Sequence, residues 1–527
     1  MFAKVFSFVV VLGLIASRGV AERPPAQSQA GGAATFVAEE ATISGIHGAL
    51  ASREVTCVQI VQAYLRRIGM YDDRGPALNA LISINPAALE TAAELDRNQT
   101  SAGAPLRPLH CIPIILKDNY DTADMPTTGG SVTLASSFPL RDAFVVRKLR
   151  EAGGIVLAKA NLTELARGGN TVSSLGGQTK NPYDLTRTPG GSSGGTGAAI
   201  AASFGVAGTG SDTGQSVRSP ASAQNLVGLR PTRGLISRTG IIPVSTTQDE
   251  AGPITRTVED AARMLDVMVG YDPDDPITAF GVPRTPRTYT AFLNRDALKG
   301  ARIGVLTEYF GREPVHQEVN AVTENAVRMM SEAGTIIVRL TIPGLDRLTQ
   351  NIQVAEYETK SAFNKYLASL GPRAPVKTLD ELIAGGGFHS SIRAGLEADA
   401  RVSDGLNQPE YKNRLLRRED LRRAVMNVIA ANTLDAILYP HQRRLVVPIG
   451  EDQVERNGVL SNSTGFPALT FPGGFSRPTP SAPLGVPIGI EILGPDYSEP
   501  RLLALAFAFE QLATPRRPPA STPPLSR

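Results

Sequence analysis

Histidine is scarce in this 527-residue chain: five residues, His47, His110, His316, His389 and His441, each isolated. No His-Glu-x-x-His and no Cys-x-x-Cys occurs, so the common zinc signatures are excluded and no dedicated metal site is expected. Cysteine is scarcer still. Cys57 and Cys111 are too few for a disulfide framework. Cys111 lies in the apolar run CIPIIL, which favours an inert buried thiol, although an oxidising compartment would allow the two to pair. Neither sign of charge dominates: 53 Lys and Arg face 50 Asp and Glu, a formal net charge of +3. That balance argues against a nucleic-acid partner and against disorder. Beyond the N-terminus no apolar run is long enough to span a bilayer. GGSSGGTG is not followed by Gly-Lys-Ser/Thr, so it is no P-loop. Tandem repeats are absent.

Hydrophobic residues make up 42% of the chain, enough for one large α/β domain or a few smaller ones. The 51 glycines and 39 prolines call for abundant loops. Residues 1–21 read as a signal peptide: Lys4, an apolar stretch of about 12 residues, then small Gly19 and Ala21. The expectation is a secreted or periplasmic protein with no stable membrane anchor after cleavage. Residues 22–37 read as a flexible leader and 518–527 as a Pro-rich tail, with fraying from Thr514. Sequons at Asn98, Asn161 and Asn462 matter only in a glycosylating host.

Between these ends, strands alternate with helices. Val58, Ile60, Val61, Tyr64, Leu65 and Ile68 recur at helical spacing, with Thr56 as the predicted cap. PAALETAAELDR predicts another helix. IPIILK is a compact β-branched run ending at Lys117, and DAFVVRKLREAGGIVLAKAN reads helix, stop, strand. GGTGAAIAASFGVAGTGSDTG predicts a small-residue helix and a buried strand over 204–209. ARIGVLTEY, AVTENAVRMMSEAGTIIVRL, LDAILYP and IGIEILG continue the alternation, and EPRLLALAFAFEQLA is a late amphipathic helix. This order implies an α/β fold with a mostly parallel sheet.

Ser216 stands in the glycine-bracketed turn GSDTGQSVRSPA, with no histidine nearer in sequence than His110 and His316. A histidine-assisted serine elbow is one alternative. Gly190-Gly191-Ser192-Ser193-Gly194 matches Gly-x-Ser-x-Gly, but that elbow needs a buried strand before it, and NPYDLTRTP is a polar turn. Lys117, Ser192 and Ser216 remain.

These residues sit in TPGGSSGGTGAAIAASFGVAGTGSDTGQSVRSPASAQNLVGLRPTRGLIS and LHCIPIILKDNYDTADMPTTGGS. ANLTELA, GIIPVSTTQDEAGPITRTVEDAA, SNSTGFPALTFPGG and GIEILGPDYSEPRLLALAFAFEQ accompany them. The set resembles the amidase signature family over residues 38–517. That resemblance implies one large domain with a central twisted, mostly parallel mixed β-sheet flanked by helices. It also implies amide hydrolysis without a cofactor by a Ser–cis-Ser–Lys group. The family's nucleophile falls on Ser216, its cis-serine on Ser192 and its lysine base on Lys117. Its oxyanion hole falls on the backbone N–H groups of Thr213, Gly214, Gln215 and Ser216. Ser193, Asp212 and Arg218 are expected to support the loop.

The residue types suit the chemistry. A serine hydroxyl is a weak nucleophile until a base takes its proton, and a free lysine, with pKa about 10.4, is charged at neutral pH. Burial behind IPIIL lowers that value toward about 7–8, where lysine serves as a base. Asp118 is adjacent in sequence, but neighbouring side chains on a strand point to opposite faces, so it should not neutralise Lys117. Ser192 can accept one proton and donate another.

Two residues depart from the family pattern. Gln215 replaces the usual glycine before the nucleophile and would be strained if it needed a positive φ. Cys111 stands where glycine is frequent. SRTGIIPVSTTQDEAGPI most resembles the bacterial peptide-amidase branch, so a small-molecule or peptide amide is the expected substrate. The alternatives are aryl-amide, carbamate, ester or fatty-amide hydrolysis, an inactive binding protein, or an amidotransferase-like subunit. Variable loops within 310–460 should shape the pocket, with His389 in a surface loop.

Overall fold

The structure, a computed structural model, describes residues 36–99 and 105–525. Residues 1–21, read above as a signal peptide, and nearly all of the expected 22–37 leader lie outside the described residues.

The described strands are β1 (Leu81–Ile84), β2 (Pro113–Lys117), β3 (Ile155–Ala160), β4 (Val172–Ser173), β5 (Gly177–Gln178), β6 (Ala207–Asp212), β7 (Val227–Arg230), β8 (Glu250–Thr255), β9 (Arg302–Leu306), β10 (Ile336–Leu340), β11 (Ala436–Pro440), β12 (Ala468–Phe475) and β13 (Pro487–Leu493). β4 and β5 form a small ribbon. The others form one mixed sheet in the order β1-β3-β2-β6-β8-β7-β12-β13-β11-β9-β10. Helices used below are α1 (Ile43–Ala51), α2 (Cys57–Tyr71), α3 (Ala88–Asn98), α4 (Phe144–Glu151), α5 (Gly194–Ala201), α6 (Arg218–Ala223), α7 (Val258–Met268) and α8 (Gln317–Glu332).

Parallel pairing occupies the flanks: β3-β2-β6 on one side, β11-β9-β10 on the other. Parallel neighbours need a crossover, which α4 supplies between β2 and β3 and α8 between β9 and β10. From β6 through β11 the ladder is antiparallel. There β7 to β8 and β12 to β13 are joined by loops with no helix, so each strand returns beside its predecessor.

Local chemistry explains the elements nearest the site. Thr56 caps α2, accepting from Gln59 N–H while the Gln59 side chain answers to Thr56 N–H. β2 and β3 are buried along their whole length, consistent with helices covering both faces. β6 starts at Ala207, three residues later than the sequence pattern predicts. Ser203 takes a left-handed φ of 56°, and the turn runs on until Val206 N–H reaches Pro113 O at 2.9 Å. α5 is wholly buried. A Cβ on Gly195 would meet Ala80 O at 2.6 Å, so only glycine lets this helix lie so close to the neighbouring backbone.

Three expectations change. Cys111 is not a free thiol: it is disulfide-bonded to Cys57, with Cα atoms 5.2 Å apart, because the N-terminus of α2 packs against the turn entering β2. The C-terminal tail is docked. Arg516 pairs with Glu40 at 2.7 Å, and Arg67 donates to Thr522 O at 2.9 Å and Pro523 O at 3.1 Å, giving the proline-rich backbone partners it cannot supply itself. Asn161 and Asn462 are 0% and 4% exposed, and both side-chain amides donate to backbone carbonyls, so neither sequon is open to glycosylation in the folded chain. No described helix is long and apolar enough to cross a membrane.

Candidate active site

β2 and β6 are parallel neighbours, and their C-terminal ends deliver Lys117, Ser211 and Asp212 to one place. Lys117 Nζ lies 2.7 Å from Ser192 Oγ, 2.8 Å from Ser211 Oγ and 3.2 Å from Ser211 O. The Gly191–Ser192 peptide is cis. Thr163 N–H holds Ser192 O at 3.0 Å and Thr171 Oγ1 holds Gly190 O at 2.7 Å, which fixes this turn before α5 begins. Ser192 is fully buried, as is Lys117.

No carboxylate pairs with Lys117 among the described residues. Asp118 turns away, as strand geometry requires, and bonds Lys159 at 3.2 Å and Thr128. Desolvation lowers the Lys117 ammonium from its usual value to about 7, against a weaker upward pull from the Asp212 and Asp249 carboxylates. At that value a large fraction of the amine is neutral near pH 7.

The Ser216 loop is tied down from below. Asp212 Oδ2 accepts from Val217 N–H at 3.1 Å and from Arg218 Nε at 3.1 Å, and its Oδ1 accepts from Arg230 at 3.0 Å. Arg218 also donates to Gly214 O at 2.7 Å and to Glu491 at 2.6 Å. Burial alone would raise the Asp212 carboxyl, but the two guanidinium groups outweigh it and hold it well below the usual carboxylate range. Glu491 is likewise held at about 2, its burial overcome by Arg218 and His441. These charges face one another, which gives Asp212 and Arg218 a holding role.

Above this base, Ser193 N–H donates to Ser216 O at 3.3 Å, joining the two serine turns. Among the described residues the N–H groups of Thr213, Gly214, Gln215 and Ser216 donate to nothing, whereas the next N–H, Val217's, is satisfied. Ser216, 7% exposed, thus ends a run of four N–H groups without partners. Gln215 is outside the left-handed region, so the strain considered for it does not arise. Its side chain packs on Gly458, where a Cβ would come within 2.6 Å of Gln215 Cβ.

Several neighbours carry no signal in the sequence. Ser211, within GSDTG, has nothing to set it apart from the serines around it, yet it accepts from both Lys117 and Asn119. Asp249 receives Thr213 Oγ1 at 2.5 Å, Gln248 links Thr213 O to Gln353, and Asn462 donates to Gly214 O at 3.0 Å. Arg230 and Glu491 complete the buried charge set. Nothing in their spacing marks them. A cavity of about 250 Å³, lined by Ser211, Asp249, Arg238 and Tyr366, opens beside the lysine end of the site. A larger cleft of about 720 Å³ between Arg187, Val322, Arg444 and Phe475 contains none of these residues. His389 lies on a partly exposed loop whose N–H donates to Glu164.

The ends of the α/β sheet thus carry a buried lysine–serine pair joined to a second serine turn whose N–H groups lack partners. The chain belongs to the Amidase family, which it matches over residues 59–503, and is an amide-hydrolysing enzyme. It is similar to the peptide amidase of Stenotrophomonas maltophilia, whose native crystal structure superposes with a TM-score of 0.82 at 36% identity, covering 91% of this chain and 98% of that one. A probable amidase of Arabidopsis thaliana is 34% identical over 98% of both chains. A glutamyl-tRNA(Gln) amidotransferase subunit of Alkaliphilus metalliredigens is 35% identical, over 90% of this chain and 96% of its own.

Proposed function

We propose that the protein is an exported amidase that hydrolyses carboxylic amides, C-terminal peptide amides among them, with Ser216 as nucleophile, Ser192 as proton bridge and Lys117 as base. The observation that carries this reading is the 2.7 Å contact between Ser192 Oγ and a Lys117 amine held near pKa 7. Ser216 Oγ attacks the amide carbon while its proton passes to Ser192, and Ser192's proton to Lys117. The carbonyl oxygen becomes an oxyanion facing the free N–H groups of residues 213–216; one such donor is typically worth ~10²–10³ in rate. Lys117 then returns the proton through Ser192 to the amide nitrogen, the C–N bond breaks, and ammonia or an amine leaves. Water attacks the acyl ester by the same route in reverse, freeing Ser216 and the carboxylic acid. Asp212, Arg218 and Ser193 hold the loop without touching substrate.

The similarity to peptide amidase supports the peptide-amide substrate class. Export is supported by the pattern of residues 1–21 and by the Cys57–Cys111 disulfide, which persists in oxidising compartments. Sequencing the mature N-terminus tests it. The test of function is ammonia or amine release from amidated peptides, an anilide, a carbamate, an ester and a fatty amide, each beside Ser216→Ala. Turnover that survives Ser216→Ala refutes the nucleophile. The amidotransferase similarity favours a second reading, an ammonia-donating subunit, which predicts release only when a partner protein is added.

A further inference from the structure

Arg456 is a cation with no partner. Among the described residues it makes no ion pair and its guanidinium no hydrogen bond, although it is only partly exposed. Other arginines around the nucleophile are committed: Arg218 and Arg230 to Asp212, Arg238 to Asp275. Burial lowers its guanidinium to about 10, and the one carboxylate that pulls it back, Asp212, is already held by two arginines. Its nitrogens stay open to solvent, so the guanidinium is free to take a partner from outside the chain.

Its position says where that partner would come from. The residues after Arg456 lead directly to Gly458, which packs on Gln215 and whose carbonyl accepts from Arg218 at 3.3 Å. On its other side the guanidinium lies against Gly169, where any Cβ would collide with it. Gly169 in turn lies against Gly191, where a Cβ would meet Gly169 C at 2.8 Å. Arg456 therefore lies on a segment that reaches the Gln215–Ser216 turn through Gly458, while its guanidinium reaches the Gly191–Ser192 turn through Gly169; in the amidase reading an amide must touch both turns.

We infer that Arg456 is a specificity-determining residue that binds a carboxylate carried on the acyl portion of the amide substrate. This rests on the amidase reading above and narrows it to acidic amides. A guanidinium fork matches a carboxylate with two parallel hydrogen bonds, and a neutral carboxamide of the same shape cannot replace it.

The test uses binding to the full chain carrying Ser216→Ala, so that it does not depend on turnover. The probes are N-acetyl-glutamate α-amide against N-acetyl-glutamine α-amide, and glutaramate against glutaramide, measured calorimetrically. The second pair places the carboxylate at the far end of a simple amide, and so separates a side-chain acid from a terminal one. The acid should bind about thirtyfold tighter than its neutral twin in at least one pair. That ratio should fall to about one in Ser216→Ala/Arg456→Gln and be partly restored by Arg456→Lys. A ratio near one with Arg456 present, or a ratio unchanged by Arg456→Gln, overturns the inference. Matching unfolding midpoints confirm that the variants compared are folded. If wild-type protein releases no ammonia from any amide while the acid preference holds, it is the amidase reading that fails, and the carboxylate site stands.

Discussion

Lys117→Met offers a prediction about how the buried base couples stability to pH. Met has similar length and carries no charge, but its end meets the Ser192 and Ser211 oxygens to which Nζ donates. In the native state the Lys117 ammonium is lowered from 10.5 to about 7 by burial. The unfolded chain therefore binds this proton more tightly than the folded chain throughout that interval. Below about pH 7 both states are protonated, and folding carries the full desolvation penalty, ~5 kcal/mol from the size of the shift. Between pH 7 and 10.5 the folded lysine is neutral, and wild-type stability rises by about 1.4 kcal/mol per pH unit relative to a chain without this group. The hydrogen bonds to Ser192 and Ser211 lost in Lys117→Met shift the comparison by an amount that changes little with pH. The difference in unfolding free energy, variant minus wild type, should thus shrink by about 2.5–3 kcal/mol from pH 6 to pH 9. Urea unfolding of both proteins at pH 6, 7.5 and 9 measures it, while amide turnover by the variant should be lost at every pH. In wild type the rate should climb through an apparent pKa near 7, since only the neutral amine accepts a proton. A stability gap that does not change between pH 6 and 9 would refute the depressed lysine, and a flat rate profile would agree with that refutation.

Other perturbations reach different links. Ser211→Ala removes an acceptor 2.8 Å from Lys117 Nζ and the partner of Asn119; kcat should drop by about 10–100-fold with a smaller change in KM, and an unchanged kcat would remove Ser211 from the site. Replacing Cys57 and Cys111 by serine opens a cross-link spanning 54 residues and should lower unfolding free energy by about 4 kcal/mol on chain-entropy grounds; a loss under 1 kcal/mol would show that packing alone holds α2 to the turn before β2. Gln215→Gly empties the space against Gly458 and should alter relative kcat/KM among amides of different acyl size, whereas an equal change for all of them would place Gln215 outside the acyl pocket.

What was legible in the sequence was chiefly local. The helix over 57–71 announces itself by periodicity and a threonine cap, and β2 by its β-branched run, because these signals are carried by neighbours in the chain. Lys117, Ser192 and Ser216 emerge once histidine chemistry is excluded and the amidase-like stretch is read as a whole. Contacts between distant segments were not legible. Cys57 and Cys111 each look like an ordinary apolar thiol until α2 is packed against the turn before β2. The antiparallel centre follows from which loops lack helices, and the docked tail from carbonyls that meet Arg67 far upstream. Asp249 and Asn462 reach the nucleophile loop from a loop and a short helix tens to hundreds of residues away, and Arg456 comes near it only through Gly458 and Gly169. Their residue types are common outside sites, so only the fold distinguishes them.

The central claim is that Ser216 carries the acyl group. It is tested most directly by treating the protein with a fluorophosphonate and mapping the modified peptide by mass spectrometry, with Ser216→Ala and Lys117→Met alongside. The account predicts one adduct, on Ser216, absent from Ser216→Ala and formed far more slowly in Lys117→Met. An adduct on another serine, or labelling of Lys117→Met at the wild-type rate, would contradict it.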